Sequence, residues 1–339
     1  NINPKNFRIY GNGGVMLPEH NQDSRYSALQ ENAIQVVGEE DGTWNDTDYA
    51  IFYAQGPHGY NVFKNFDLPN GNGNRRIDTR TDKPFNYVNL YDDYSYYFIN
   101  FDLGPGKRVQ EADQPVNSNM ISRYDDYQFI NEEKFNLLKI GRIWTGDAIT
   151  DSKTLTFTTK SPIQTDDVIR YRSRVVAYQS AGNKITTTIN NQNSYTSSIL
   201  TTEKKEAIPL TYSGIITNLQ GNQLTFNLAT NTSANPNGRF YFDYAEVQYK
   251  EDLKFNNSQM NFRSYDIDEE SSELYTFNIS DASAIEQVWE VSDITTATKK
   301  INKSGSNSTF SFGYVPNNQF VNEFVAFKNS DAYTPSFVG

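Results

Sequence analysis

Four stretches of the sequence read with the two-residue alternation of a strand, apolar residues set among Thr and other polar ones. They are Leu155-Thr156-Phe157, Ile185-Thr186-Thr187-Thr188-Ile189, Leu224-Thr225-Phe226-Asn227-Leu228 and Phe240–Tyr249, which reads FYFDYAEVQY. Successive side chains of a strand point to opposite faces, so this period belongs to half-buried β-strands and is incompatible with a helix. Turns such as Ala181-Gly182-Asn183 and Gln220-Gly221-Asn222 separate the runs, a spacing that predicts an antiparallel sandwich or jelly roll. Phe240–Tyr249 alternates on both faces and is expected to be a central strand.

Composition agrees. The chain has 23 Tyr and 22 Phe against 3 Met, a bias towards strand formers. The fold class expected is mainly β: two or three β-sandwich or jelly-roll-like domains with few short helices. The expected domains are residues 1–110, 111–270 and 271–339, with 107–130 as a polar, proline-broken connection. Within the first, Tyr49–Tyr53 (YAIFY) is a continuous apolar run, as for a strand buried on both faces, and Tyr96–Phe101 is another strand. One short helix is expected at Asn131–Leu138, with Asn131 as cap, Glu132 and Glu133 at its positive end and Phe135 and Leu138 on one face. The stretch Phe7–Glu19, FRIYGNGGVMLPE, carries a glycine turn. A phosphate cradle needs a helix straight after the glycines, and Pro18 follows instead, so the turn is expected to join two strands and to lie against a neighbouring domain.

The formal net charge is -11, which argues against nucleic acid as a partner. No apolar run reaches the ~20 residues of a membrane-spanning helix. With 0 Cys there is neither a disulfide nor a cysteine nucleophile in this sequence. The two histidines, His20 and His58, stand alone, without HxH or HExxH spacing. No GxSxG elbow occurs, and nothing singles out a carboxylate pair among the 41 acidic residues.

Two features point to binding. In Asp41–Asp48, DGTWNDTD, residues Asp41, Asn45, Asp46 and Asp48 could offer hard oxygen ligands to calcium, but the spacing is not that of an EF-hand and an acidic β-turn between Val37 and Tyr49 is the simpler reading. Asp92-Asp93 and Asp266–Glu270 are poorer candidates. Trp44, Trp144 and Trp289 are candidates for stacking on sugar rings, with core burial the alternative for each. A carbohydrate-binding surface adhesin is therefore one functional reading.

The other comes from longer motifs. NPKNFRIYGNGGVMLPE (Asn3–Glu19), ENAIQVVGEEDGTWNDTDYAIFYAQGP (Glu31–Pro57), YYFINFDLGPGKR (Tyr96–Arg108) and GRIWTGD (Gly141–Asp147) occur in that order. FDYAEVQYKEDLKFNNSQMNFRS (Phe242–Ser264), VWEVSD (Val288–Asp293) and FVAFKNSDAYTPSFVG (Phe324–Gly339) follow. Together they resemble the N-terminal region of the gingipain-like cell-surface sortases of type IX secretion, a cysteine peptidase family. The resemblance implies an exported, outer-membrane-associated enzyme that removes C-terminal sorting domains from cargo and joins the new end to anionic lipopolysaccharide. It implies as partners the outer-membrane barrel protein PorV, other attachment-complex subunits and the cargo itself. The family's catalytic Cys and His lie in an α/β domain beyond these motifs, and no residue here matches them. This sequence is accordingly expected to be a non-catalytic piece of a longer protein, one that positions cargo or a complex partner.

Overall fold

The computed structural model describes residues 2–18, 21–22, 25–60, 86–137, 139, 143–198, 207–317 and 321–339. Among these the chain is almost wholly strand and loop, with helix limited to short 3-10 turns such as Pro4–Asn6 and Glu39–Asp41. Two compact units emerge, neither continuous in sequence. One takes in Asn1–Gly59, Tyr87–Tyr124 and Leu253–Gly339, the other Tyr60–Asn86 and Asp125–Asp252.

The second unit is a jelly roll of eight main strands, with the two-residue strand Ala148–Ile149 added alongside Arg239–Asp252. One sheet orders its strands as Arg123–Asn131, Arg239–Asp252, Ile169–Tyr178 and Ala207–Ile216; the other runs Ser152–Ile163, Gly221–Asn231, Lys184–Ile189 and Gln192–Ser198. Counted along the chain, the orders are first, eighth, third, sixth and second, seventh, fourth, fifth. That is the interleaving of two four-stranded sheets expected of this architecture. The alternation read from sequence is the cause. Leu155 lies opposite Phe226 and Phe157 opposite Leu224, all buried, while Thr156 and Asn227 turn outwards. These join Ile185, Ile189, Phe240, Phe242 and Val247 in one core. Arg239–Asp252 is central as expected, paired on both sides.

The first unit is built from smaller sheets. A five-stranded sheet orders Met260–Phe262, Phe324–Phe327, Gln287–Glu290, Thr298–Lys300 and Gln110–Ala112; a three-stranded one orders Thr309–Tyr314, Tyr275–Ser280 and Met120–Ile121. Their shared core is aromatic: Phe324 lies within ring-contact distance of Phe262, Phe277, Phe312 and Tyr314, with centroids 4.7–5.4 Å apart. Arg8–Tyr10 sits between Glu31–Asn32 and Phe98–Asn100. Arg8 holds the following loop shut by donating to the carbonyls of Leu103, Gly104 and Pro105. Arg108 does the same for the N-terminal turn through Pro4, Lys5 and Phe7.

Three expectations are corrected. Of the helix expected at Asn131–Leu138, Leu138 lies outside the described residues and Asn131–Leu137 is not helical: Lys134 and Phe135 donate their N–H groups to the Thr145 carbonyl, and Glu132 donates to that of Asp243. Long-range pairing has claimed the backbone that a helix would use. Tyr49–Phe52 is a strand buried only at Ile51, in a two-stranded ladder with Ile34–Val37. The GNGG turn joins no hairpin, since Arg8–Tyr10 pairs with Glu31–Asn32 and Phe98–Asn100 and residues 15–18 form no strand.

Those glycines pack within their own unit. A Cβ on Gly14 would stand 2.6 Å from Pro57 Cα and 2.7 Å from Pro57 N, both backbone atoms, whereas one on Gly59 would meet nothing. Gly14→Ala is therefore expected to cost about 1–3 kcal/mol in a denaturant titration, with Gly59→Ala near neutral.

Candidate functional site

The 3-10 turn Glu39–Asp41 that opens the acidic stretch is bounded by glycines in the left-handed region, which favours glycine, Gly38 at φ 92° and Gly42 at φ 75°. Glu39 pairs with Arg108, while Asp41 and Asp48 serve the loop itself. Asp41 accepts from the Thr43 N–H at 2.8 Å and from Asn45 Nδ2 at 3.1 Å; Asp48 accepts from the Asn45 N–H at 2.8 Å. Asp41, Asn45 and Asp46 are exposed and Asp48 is half-buried. Among the described residues no three His, Cys, Asp or Glu side chains gather as they would around a metal. The structure brings Asp41, Asn45 and Asp48 together through hydrogen bonds.

His20 lies outside the described residues. His58 is not merely solvated: its Nδ1 accepts from the Asn89 N–H at 3.0 Å, which leaves Nε2 as the donor to Asp93 Oδ1 at 3.2 Å. The ring thus pins the loop 89–93. Of the tryptophans, Trp289 is 1% exposed and donates to Gln287, so it is core. Trp44 and Trp144 are each 39% exposed, and Trp44 leans on Phe7 with ring centroids 5.3 Å apart.

The charged constellation that the sequence did not reveal lies in the jelly roll. Adjacent strands place Arg172 opposite Glu246 and Arg174 opposite Tyr244. Arg172 and Glu246 form an ion pair at 3.1 Å with side chains only 1% and 0% exposed. The second Glu246 oxygen accepts the Asn86 N–H at 2.8 Å. Beside them Arg174 bonds Asp243 and lies over the Tyr244 ring, 4.9 Å from its centroid. The signal was present as RYRSR (Arg170–Arg174) and the charges of Phe240–Tyr249, alternating within strong strand formers. Nothing in either run says that the two meet. Both Glu246 oxygens are taken up, one by arginine and one by a backbone donor, an arrangement that ties the two strands in register.

Burial pushes the Asp243 carboxyl up to about 6, and the attraction of Arg174 offsets only part of that effect. The folded chain therefore holds this proton more tightly than the unfolded one between the ordinary value of 3.8 and about 6. The sign follows: this group's contribution is largest at low pH and is lost as pH rises through that window, by at most about 1.4 kcal/mol per pH unit. Unfolding midpoints of the wild type and Asp243→Asn, compared at several pH values, should diverge in that interval and run parallel above it.

Set against solved structures, the chain is similar to dimeric latent PorU from Porphyromonas gingivalis. The TM-score is 0.74 at 19% identity, over 99% of this chain and 30% of that one. The fold is that of a part of PorU. At this identity the likeness is one of fold, and the chain spans under a third of PorU's length. Structures of infectious bursal disease virus align far less well. The Gt strain gives a TM-score of 0.24 at 10% identity, over 72% of this chain and 54% of that one, and the Gx strain 0.25 at 9%, over 96% and 64%. No family model and no curated protein matches the sequence. The likeness to PorU thus takes in both β units.

Proposed function

We propose that this chain is the non-catalytic β region of a type IX secretion cell-surface sortase. In this reading it supports a peptidase domain and positions either cargo bearing a C-terminal sorting domain or a complex partner such as PorV. The observation that carries it is the extent of the PorU likeness, end to end in this chain yet under a third of that protein. The ordered sequence motifs point the same way. With 0 Cys, the thiolate attack and thioester of such an enzyme belong to residues outside this sequence. Residence at the outer-membrane surface and attachment of cargo to anionic lipopolysaccharide are parts of the same proposal.

The test uses purified chain, cargo carrying its sorting domain and an immobilised attachment complex containing PorV. Retention on the complex without cleavage of cargo is expected. Cleavage by the chain alone, or no retention, would sink the reading. The exposure of Trp44 and Trp144 favours one competitor, a glycan-binding adhesin. Glycan-array binding abolished by Trp44→Ala or Trp144→Ala would favour it over the sortase region.

A further inference from the structure

Exposed apolar side chains recur along one segment of the first unit, residues 90–103. Leu90, Tyr91, Tyr94, Phe98, Ile99 and Leu103 all face solvent, Tyr91 at 87%. The strip continues onto a second segment, because Asn89 Nδ2 donates to the Gly14 carbonyl at 2.8 Å and the Leu90 N–H to Met16 Sδ at 3.4 Å. Exposed Val15 and Leu17 therefore lie alongside it. Scattered surface apolar residues need no explanation, but a run of them along one ordered segment does.

The strip is held in shape before anything binds. Asn89 Oδ1 accepts from the N–H groups of Tyr91 and Asp92, and Asp92 from that of Tyr94. Ser95 Oγ donates to the Gln55 carbonyl, and the Tyr97 hydroxyl accepts the Gln55 N–H. A surface ordered in advance binds without paying that entropy again. Its strand Phe98–Asn100 has Arg8–Tyr10 on one side and, among the described residues, an open edge on the other. Edges are normally protected by Lys or Pro, and this one carries Phe98 and Ile99 instead, one on each face of the strand.

Charge says what would cover it. Residues 90–106 contain Asp92, Asp93 and Asp102 and neither Lys nor Arg. Neighbouring Arg8 is taken by Glu31 and the loop carbonyls. An acidic, tyrosine-rich surface repels anionic lipid and a second copy of itself, and it attracts cations through both carboxylates and ring faces.

We propose that the strip 90–103, with Val15 and Leu17, docks an extended segment of a partner protein in which Lys or Arg alternates with apolar residues. The segment would add to the open edge of Phe98–Asn100. The inference rests on the partner-positioning reading above and specifies the surface used.

The test measures binding of the full chain to a short alternating Lys-Val peptide, with a Lys-Gly peptide of equal charge and a Glu-Val peptide as comparators. Only the Lys-Val peptide should bind well. The Tyr91→Ser, Tyr94→Ser, Phe98→Ser triple variant should lose about tenfold or more. A variant of exposed residues elsewhere, Tyr333→Ser with Phe337→Ser, should bind as the wild type does. All substituted positions are exposed, and thermal melts verify that the variants fold. Equal binding of the Lys-Gly peptide, an unaffected triple variant, or no binding of the Lys-Val peptide would overturn the proposal. So would phosphatidylglycerol vesicle binding or self-association that the triple variant abolishes. Retention on the attachment complex is scored in parallel. Retention lost in wild type while the peptide still binds counts against the sortase region alone; equal retention of wild type and triple variant counts against this surface alone.

Discussion

Glu246→Ala is expected to destabilise the jelly roll by about 3–5 kcal/mol. The substitution strips the buried Arg172 of its carboxylate partner and leaves the Asn86 N–H without its acceptor. Arg172 cannot shed its charge, since a guanidinium stays protonated throughout the accessible pH range. Replacing the pair together, Arg172→Met with Glu246→Leu, should recover most of the loss, because two charges no longer have to be desolvated. Guanidinium unfolding of the three proteins measures this. A double variant as unstable as the single one would mean that the pair contributes net stability, not register alone.

Phe324→Ala is expected to cost about 3–5 kcal/mol in the other unit. Phe324 is fully buried and meets four aromatic rings, two of them on Thr309–Tyr314 and one each on Tyr275–Ser280 and Met260–Phe262. The hole would open where two sheets meet, so the surroundings can collapse only partly. Phe324→Leu should cost far less. If Phe324→Ala lowered the melting temperature no further than Phe324→Leu, the ring cluster would not be the core it looks like.

The jelly roll was legible because its strands carry their burial in their own period. Leu155 and Phe157, or Leu224, Phe226 and Leu228, announce an inner face without knowing their partners. Elements decided by distant pairing were not. Asn131–Leu138 has every local mark of a helix, and yet Thr145 and Asp243 take its backbone donors and an acceptor. Tyr49–Phe52 is apolar enough for a buried strand, but its ladder is only two strands wide. The Arg172–Glu246 pair joins positions on two strands that four further strands separate in sequence, and no short window of residues contains both. The exposed strip reads in sequence as an ordinary YYFINF strand. Only the fold shows that Tyr97 turns inwards over Gly11 while Phe98 and Ile99 do not.

Two parallel pairings carry a consequence for the order of events as the chain is made. Gln110–Ala112 pairs with Thr298–Lys300, and Met120–Ile121 with Tyr275–Ser280. Most of the jelly roll lies between the members of each pair. Contacts so far apart must await loop closure, which slows folding. During synthesis the earlier strands are complete long before their partners exist, while the jelly-roll strands from Arg123–Asn131 to Arg239–Asp252 are already all present. Pulse-labelled hydrogen exchange should find amides of Ile169–Tyr178 protected before those of Tyr275–Ser280. A nascent chain halted after Asp252 would thus hold one finished core and two strand segments waiting for a template, open in the meantime to any chaperone that recognises unpaired strands.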